Sequence, residues 1–261
     1  FEFADLAVIN IDDAHGVQLA AKTELPVMSV SRQNQSATWH YASISPDYAG
    51  AHVAIRGSGG ILIEGKVQLY GGYNYDNLLM AVAIANESGI DPIDIAAILP
   101  HLTGAAGRME SVRLGQNFTA LVDYAHSPDA VARVLETAHE ITDGRVIAVL
   151  GCGGDRDRAK RPLMGKALHD GADVAFFTSD NPRSEKPEEI LIQMTLDLDI
   201  QEPSAVIQDR SLAIKAAVNQ AQEGDLVVIL GKGHEKGQEV DGKIEPFDDL
   251  VELARAIEDK K

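Results

Sequence analysis

The sequence has only one cysteine, Cys152, in 261 residues. No disulfide can form within it, and a reducing compartment, the cytoplasm, is the expected setting. Long apolar runs are also missing: the stretch at residues 146–150 is strand-length, far below the roughly 20 residues that span a bilayer as a helix. No N-terminal stretch combines the basic, apolar and small-residue regions of a signal peptide. Basic residues are scarce, 23 against 40 acidic ones, for a net charge of −17. Phosphate backbones and anionic membrane surfaces are repelled by such a chain, so neither nucleic acid nor membrane is an expected partner, although a local basic pocket for a small anion is compatible. Internal repeats and low-complexity tracts are absent. A P-loop is absent too. Gly60, Gly65 and Lys66 have its spacing, but Val67 stands where a metal-binding Ser or Thr is required, and residues 61–64 read as strand. Gly65 is therefore expected at a hairpin turn. The first residue is Phe1 rather than methionine, so the expectation is a piece of something longer.

The length suffices for two modest cores, and 45% apolar with 24% charged residues is an ordinary globular balance. Residues 1–103 read as a mixed, strand-rich region. Short β-type runs are expected at residues 6–10, 27–30, 37–43, 52–55 and 61–69. A helix follows over residues 75–87, with Asn74 as a candidate cap and Gly89 at its C-terminal end, and a second spans about 92–102. From residue 104 the pattern changes. A hairpin at residues 109–122 leads into regular alternation: strands at 146–150, 174–178, 205–207 and 226–230, separated by helices. Ser127 caps the first of these helices with Pro128 behind it, and Asp248 caps the last, which is expected to run to Lys261. Such alternation predicts an α/β fold with a largely parallel, Rossmann-like sheet covered on both faces, beside a smaller mixed α/β region.

Polar residues gather after three of these strands. Gly151-Cys152-Gly153-Gly154-Asp155-Arg156-Asp157-Arg158 follows the first, Ser179-Asp180-Asn181-Pro182-Arg183 the second, and Gly231-Lys232-Gly233-His234-Glu235 the last. Parallel strands place all three on one sheet edge, where such folds bind ligands. Glycines let backbone N–H groups approach an anion, and arginines grip carboxylates in a planar, two-point fashion. A single cluster of this kind reads equally well as an ordinary loop; three on one rim do not. Gly72-Tyr73-Asn74-Tyr75-Asp76-Asn77, Gly107-Arg108-Met109-Glu110 and Asp123-Tyr124-Ala125-His126 are further clusters.

These runs, in this order, resemble the Mur ligase family, and Asp180-Asn181-Pro182-Arg183 resembles the signature of its diaminopimelate-adding branch. The resemblance implies that residues 1–103 are the C-terminal part of a central ATPase domain and 104–261 a C-terminal Rossmann-like ligase domain. It implies ATP and Mg2+ as cofactors, an acyl phosphate on D-Glu, and meso-diaminopimelate and UDP-MurNAc-L-Ala-D-Glu as the substrates joined. Residue by residue, it assigns Asn77, Arg108 and Asp123 to the nucleotide. Tyr124 and His126 are assigned to the reaction centre, and Arg156, Asp180, Asn181, Arg183, Gly231 and Glu235 to diaminopimelate. The family's P-loop and metal ligands lie upstream of Phe1, so no metal ligand is expected here, and the piece alone is expected to be inactive. A sister ligase adding lysine and a non-catalytic amino-acid-binding module are the alternatives.

Overall fold

Residues 4–47 and 50–260 are described by the computed structural model, so the expectations for Phe1 and Lys261 lie outside them. The chain divides into two units, Phe1–Gly104 and Ala105–Lys261.

The first unit contains β1 (Ala7–Asn10), α1 (Ala14–Lys22), β2 (Val27–Ser31), β3 (Trp39–Asp47), β4 (Gly50–Arg56), β5 (Leu62–Val67), α2 (Gly72–Glu87) and α3 (Pro92–Ile98). Its sheet has the order β1-β2-β3-β4-β5, parallel from β1 to β3 and antiparallel from β3 to β5. Trp39, Tyr41, Ile55, Ile63 and Val67 pack there against Leu78, Leu79 and Val82 of α2 and Ile95 of α3.

Two expectations are corrected in this unit, and one helix is new. Gly65 is not at a turn: it lies inside β5 opposite Val53, where a Cβ would press on Leu99 at 2.9 Å. The turn is instead at residues 57–60. Asn74 does not cap α2, which starts after Gly71; its amide donates to the Tyr70 carbonyl at 2.8 Å inside the first turn. Helix α1 was not anticipated. It is capped by Asp13, which accepts from the backbone N–H groups of His15 and Gly16, and none of its residues is buried.

The second unit contains β6 (Glu110–Ser111), β7 (Thr119–Asp123), α4 (Pro128–Ile141), β8 (Val146–Cys152), α5 (Lys160–Gly171), β9 (Val174–Ser179), α6 (Pro187–Met194), β10 (Ala205–Val206), α7 (Arg210–Gln220), β11 (Leu226–Leu230), β12 (Gly237–Val240), β13 (Lys243–Pro246) and α8 (Asp249–Lys260). The sheet order is β10-β9-β8-β11-β7-β6, parallel throughout except for β6. Every residue of β7, β8, β9 and β11 is buried, as a parallel sheet clothed on both faces requires. On one face Val122, Val149, Phe176 and Ile229 meet Ile214 and Val218 of α7 and Leu253 and Ile257 of α8. Alternate residues such as Leu121, Leu150 and Phe177 are buried on the other face. Each such side chain stabilises the unit by about 1.5–3 kcal/mol, which is why polar groups are confined to the strand ends. Ser127 accepts from the Ala130 N–H and caps α4 as expected. The β12–β13 hairpin was not anticipated.

Candidate functional site

Because β7, β8, β9 and β11 are parallel neighbours, the loops leaving their carboxyl ends converge on one edge. Between them lies a cavity of about 380 Å³ whose lining includes Tyr124, His126, Arg156, Asp180, Asn181, Arg183, Gly231 and Glu235. Eight of the expected site residues thus share one cavity within one unit.

The floor is a buried charge network. Lys232 is fully buried, and its ammonium donates to Asn181 Oδ1 at 3.0 Å and Glu235 Oε2 at 3.2 Å. The Asn181 amide donates in turn to Glu235 Oε2 at 2.8 Å. Burial raises the Glu235 carboxyl, but the hydrogen bond from Asn181 and the charges of Lys232 and Arg183 outweigh it and hold the group below the usual carboxylate range. Asp180 behaves in the opposite way. It is buried, and among the described residues only the Asn181 N–H donates to it, at 2.7 Å. Desolvation pushes its carboxyl up, against the pull of Arg210 and Lys232. Arg210 is itself occupied: it makes a two-point pair with Asp249, at 2.7 and 2.6 Å, and donates to the carbonyls of Ser179 and Leu230. It thereby ties the ends of β9 and β11 together.

Arg183 holds a left-handed backbone conformation, φ 53°, unusual for a non-glycine residue and found at sites where the surroundings enforce it. Its Nη1 donates to the Gly154 carbonyl at 2.8 Å, and its Nε lies 3.3 Å from Glu239 Oε2. Gly154 is glycine for a steric reason: a Cβ there would collide with the Pro182 carbonyl. Arg156 is exposed at the rim and donates to the Asp155 carbonyl at 3.4 Å.

Tyr124 is flanked by His126 at 4.6 Å and His234 at 5.4 Å between ring centres, with the Arg108 guanidinium 5.3 Å from its ring centre. His126 is exposed, and its Nδ1 lies 2.8 Å from the Tyr124 carbonyl. A carbonyl only accepts, so Nδ1 carries hydrogen and Nε2 is the basic nitrogen of the neutral ring. Asp123, which the resemblance assigns to the nucleotide, is the last residue of β7. It is 2% exposed, and its oxygens accept from the backbone N–H groups of Met109, at 2.9 Å, and Ala125, at 2.8 Å. Its place in the structure is that of the group folding the Arg108 loop against the Tyr124 loop. Asn77 lies exposed on α2 in the first unit, apart from this cavity's lining. Among the described residues no group of three or more His, Cys, Asp or Glu is placed to hold a metal ion.

Residues 107–233 match the Mur ligase glutamate ligase domain, and residues 1–85 match the Mur ligase middle domain. The chain belongs to the Mur ligase family. A relative from Streptomyces coelicolor, named UDP-N-acetylmuramoyl-L-alanyl-D-glutamate–2,6-diaminopimelate ligase, is 41% identical over 258 residues, covering 97% of this chain and 51% of the relative. One of the same name from Syntrophomonas wolfei is 39% identical over 262 residues, covering 99% and 53%. A solved structure of a protein of that name superimposes with a TM-score of 0.75 at 39% identity, over 98% of this chain and 53% of the other. The chain therefore spans about half the length of the curated relatives it matches.

Within this Mur ligase chain, several residues of the site carried no distinguishing mark in the sequence. Lys232 sits in a recognisable run, but nothing in the run says that its ammonium is buried. Arg161, 1% exposed, lines the cavity and is gripped by Glu185 at 2.7 and 3.0 Å and by Gln193 at 2.8 Å. Its hydrogen bonds, with one from the Asp155 N–H, hold Glu185 down at about 2. Glu239 and Arg210 act from outside the motif runs. No helix of the described residues is long and apolar enough to cross a membrane.

Proposed function

We propose that this chain is the amino-acid-selecting part of an ATP-dependent ligase of the cytoplasm, one that joins meso-diaminopimelate to UDP-MurNAc-L-Ala-D-Glu in peptidoglycan precursor synthesis. The observation that carries the reading is the pairing of opposite charges in one cavity. Asp180 and Glu235 present carboxylates and Arg183 a guanidinium, with Arg156 at the rim. A ligand with both an ammonium and a carboxylate at each end satisfies such a lining. Meso-diaminopimelate differs from lysine by the carboxylate on its far carbon. Arg183 is the group to receive it, and lysine would leave that guanidinium without a carboxylate while bringing an ammonium near it. The names and extents of the relatives support the same substrate.

ATP, when bound, supplies the phosphoryl group that activates the D-Glu carboxylate; Mg2+ belongs to the same proposal, with its ligands outside this chain. This chain's residues handle the other partner. Asp180, Asn181 and Glu235 hold the amino acid, and Gly231 lets it approach the β11 end. His126, with Nε2 free, takes a proton from the attacking amine, and Tyr124 packs beside it. Arg108 and Asn77 are exposed and fit a role toward the phosphates and base of the nucleotide, with Asp123 shaping the loop that carries Arg108.

Isothermal titration calorimetry of the chain tests the reading, with meso-diaminopimelate and L-lysine in separate runs. Heat with the first and none with the second is expected. Equal binding of lysine, or silence with both, refutes a preformed diaminopimelate site in this chain.

A further inference from the structure

Strand β9 ends at Ser179, yet Arg183, four residues later, is held in a strained conformation pointing into the cavity. The sheet cannot hold it there. What does is the β12–β13 hairpin. Gln238 donates through Nε2 to the Asp180 carbonyl at 2.7 Å. The Glu239 N–H donates to Asn181 Oδ1 at 3.0 Å. The Arg183 N–H donates to the Glu239 carbonyl at 2.9 Å, and the Asp241 N–H donates to the Arg183 carbonyl at 2.8 Å. The hairpin thus forms a backbone bridge at Arg183 and Val240.

The side chain of Glu239 adds the last restraint. It lies 3.3 Å from Arg183 Nε and is not among the residues lining the cavity. It therefore grips the guanidinium from behind, while Gly154 takes Nη1. Among the described residues Nη2 has no acceptor and is the nitrogen left for a ligand. An arginine has a large rotamer freedom to lose, and one already restrained loses less of it on binding.

We propose that Glu239 is a positioning residue for ligand selection: through its carboxylate and the hairpin that bears it, it aims the Arg183 guanidinium at the far carboxylate of the amino-acid ligand. This rests on the reading of the cavity as an amino-acid site. Three carboxylate-bearing loops already surround the cavity, so an additional acid behind Arg183 is not there to bind the ligand. Its effect passes through Arg183 alone.

The test has two readouts. The first needs no ligand: the Arg183 Nε–H resonance in the 15N-arginine spectrum of the chain, assigned with Arg183→Lys. With the Glu239 carboxylate paired beside it at 3.3 Å, it is expected to exchange more slowly in the parent than in Glu239→Ala, with Glu239→Gln, which keeps the size but not the charge, in between. The second is calorimetry with meso-diaminopimelate. Glu239→Ala is expected to weaken binding by roughly two- to twelvefold, the effect of leaving one long side chain unrestrained. Glu239→Gln is expected to retain most of the affinity. In an Arg183→Ala background, Glu239→Ala should change nothing further. Tighter binding by Glu239→Ala would mean that the acid masks Arg183 rather than aims it, and would overturn the proposal. An undiminished effect in the Arg183→Ala background, or unchanged Nε–H protection in Glu239→Ala, would overturn it too. Absence of meso-diaminopimelate binding by the parent chain would sink the substrate reading instead, while the exchange measurement still decides the role of Glu239 toward Arg183.

Discussion

Replacing Asp180 by asparagine should make the ligand-free protein more stable and its amino-acid binding weaker. Five charged groups surround the end of β9. Asp180, Glu235 and Asp249 are acidic, and Lys232 and Arg210 are basic. Arg210 is committed to Asp249 by two bonds and Lys232 to Glu235 and Asn181. Asp180 is left buried without a cation of its own, and its carboxyl is pushed upward chiefly by desolvation. A carboxyl whose folded pKa lies above its unfolded value near 3.9 binds its proton more tightly in the native state. Its unfavourable contribution is absent below the unfolded pKa and grows as pH rises through the window up to the folded one. Asparagine, of the same shape and never charged, escapes it.

Relief of such a destabilised site group is typically worth about 0.5–2 kcal/mol. For a unit of this size each kcal/mol moves the midpoint by roughly 2–4 °C, so Asp180→Asn should raise the midpoint of the second unit by roughly 1–8 °C at pH 7.5. The gain should shrink as the pH is lowered toward the unfolded carboxylate range, near 3.9, below which ionisation no longer distinguishes the folded from the unfolded parent. Other carboxylates titrate in both proteins and drop out of the difference. The binding effect has the opposite sign. A ligand ammonium supplies the missing cation, and removing the charged partner of a buried pair costs about 2–5 kcal/mol. Differential scanning calorimetry across that pH range, with titration of meso-diaminopimelate at pH 7.5, reads both. An Asp180→Asn protein less stable than the parent at pH 7.5, or a gain that does not depend on pH, would refute the charge count.

Two other perturbations probe the same edge. Arg161→Met leaves half-buried Glu185 with the exposed Arg158 at 2.9 Å and the Asp155 N–H at 2.7 Å, and should destabilise the unit by about 1.5–3 kcal/mol in urea unfolding, most of it recovered in Arg161→Met/Glu185→Gln. Since the hydrogen bonds from Arg161 and from the Asp155 N–H hold Glu185 at about 2, its contribution should be present above its unfolded pKa, near 4.3, and be lost as pH falls through 2. Cys152 is 4% exposed and its thiol is pushed up to about 12, by burial first and by Asp180 second. Labelling by a thiol reagent at pH 8 should therefore be slow and track unfolding, whereas fast labelling of the native chain would contradict this burial.

The parts of the fold legible in the sequence are those where burial leaves no choice of residue. A central parallel strand is covered on both faces, so residues 146–150 and 226–230 are apolar without interruption, and the loops after them stand out by their glycines and charges. Elements that bury little leave no such trace. Helix α1 has no buried residue and hence no apolar stripe; only Asp13 marks its start. Gly65 resembles a turn because the helical layer that forces a bare Cα there, Leu99, lies 34 positions away in the chain.

The hairpin behind Arg183 is the instructive omission, because a signal for it existed. Asp241 and Gly242 both have positive φ, 49° and 72°, the backbone that a two-residue hairpin turn demands, and Asp-Gly is among the strongest short-range marks of one. Strand β13 is exposed and β12 at most half-buried, with little apolar alternation to reinforce the turn, so a reading led by hydrophobic periodicity passes over it. The site's motifs name the groups proposed to touch a ligand, since chemistry restricts those to a few residue types. The groups that aim them, Glu239 on a solvent-facing hairpin and Arg210 at a helix start, are restricted only by geometry, which a single sequence does not display. A specificity site read from motif residues alone therefore omits the restraints that give Arg183 its direction.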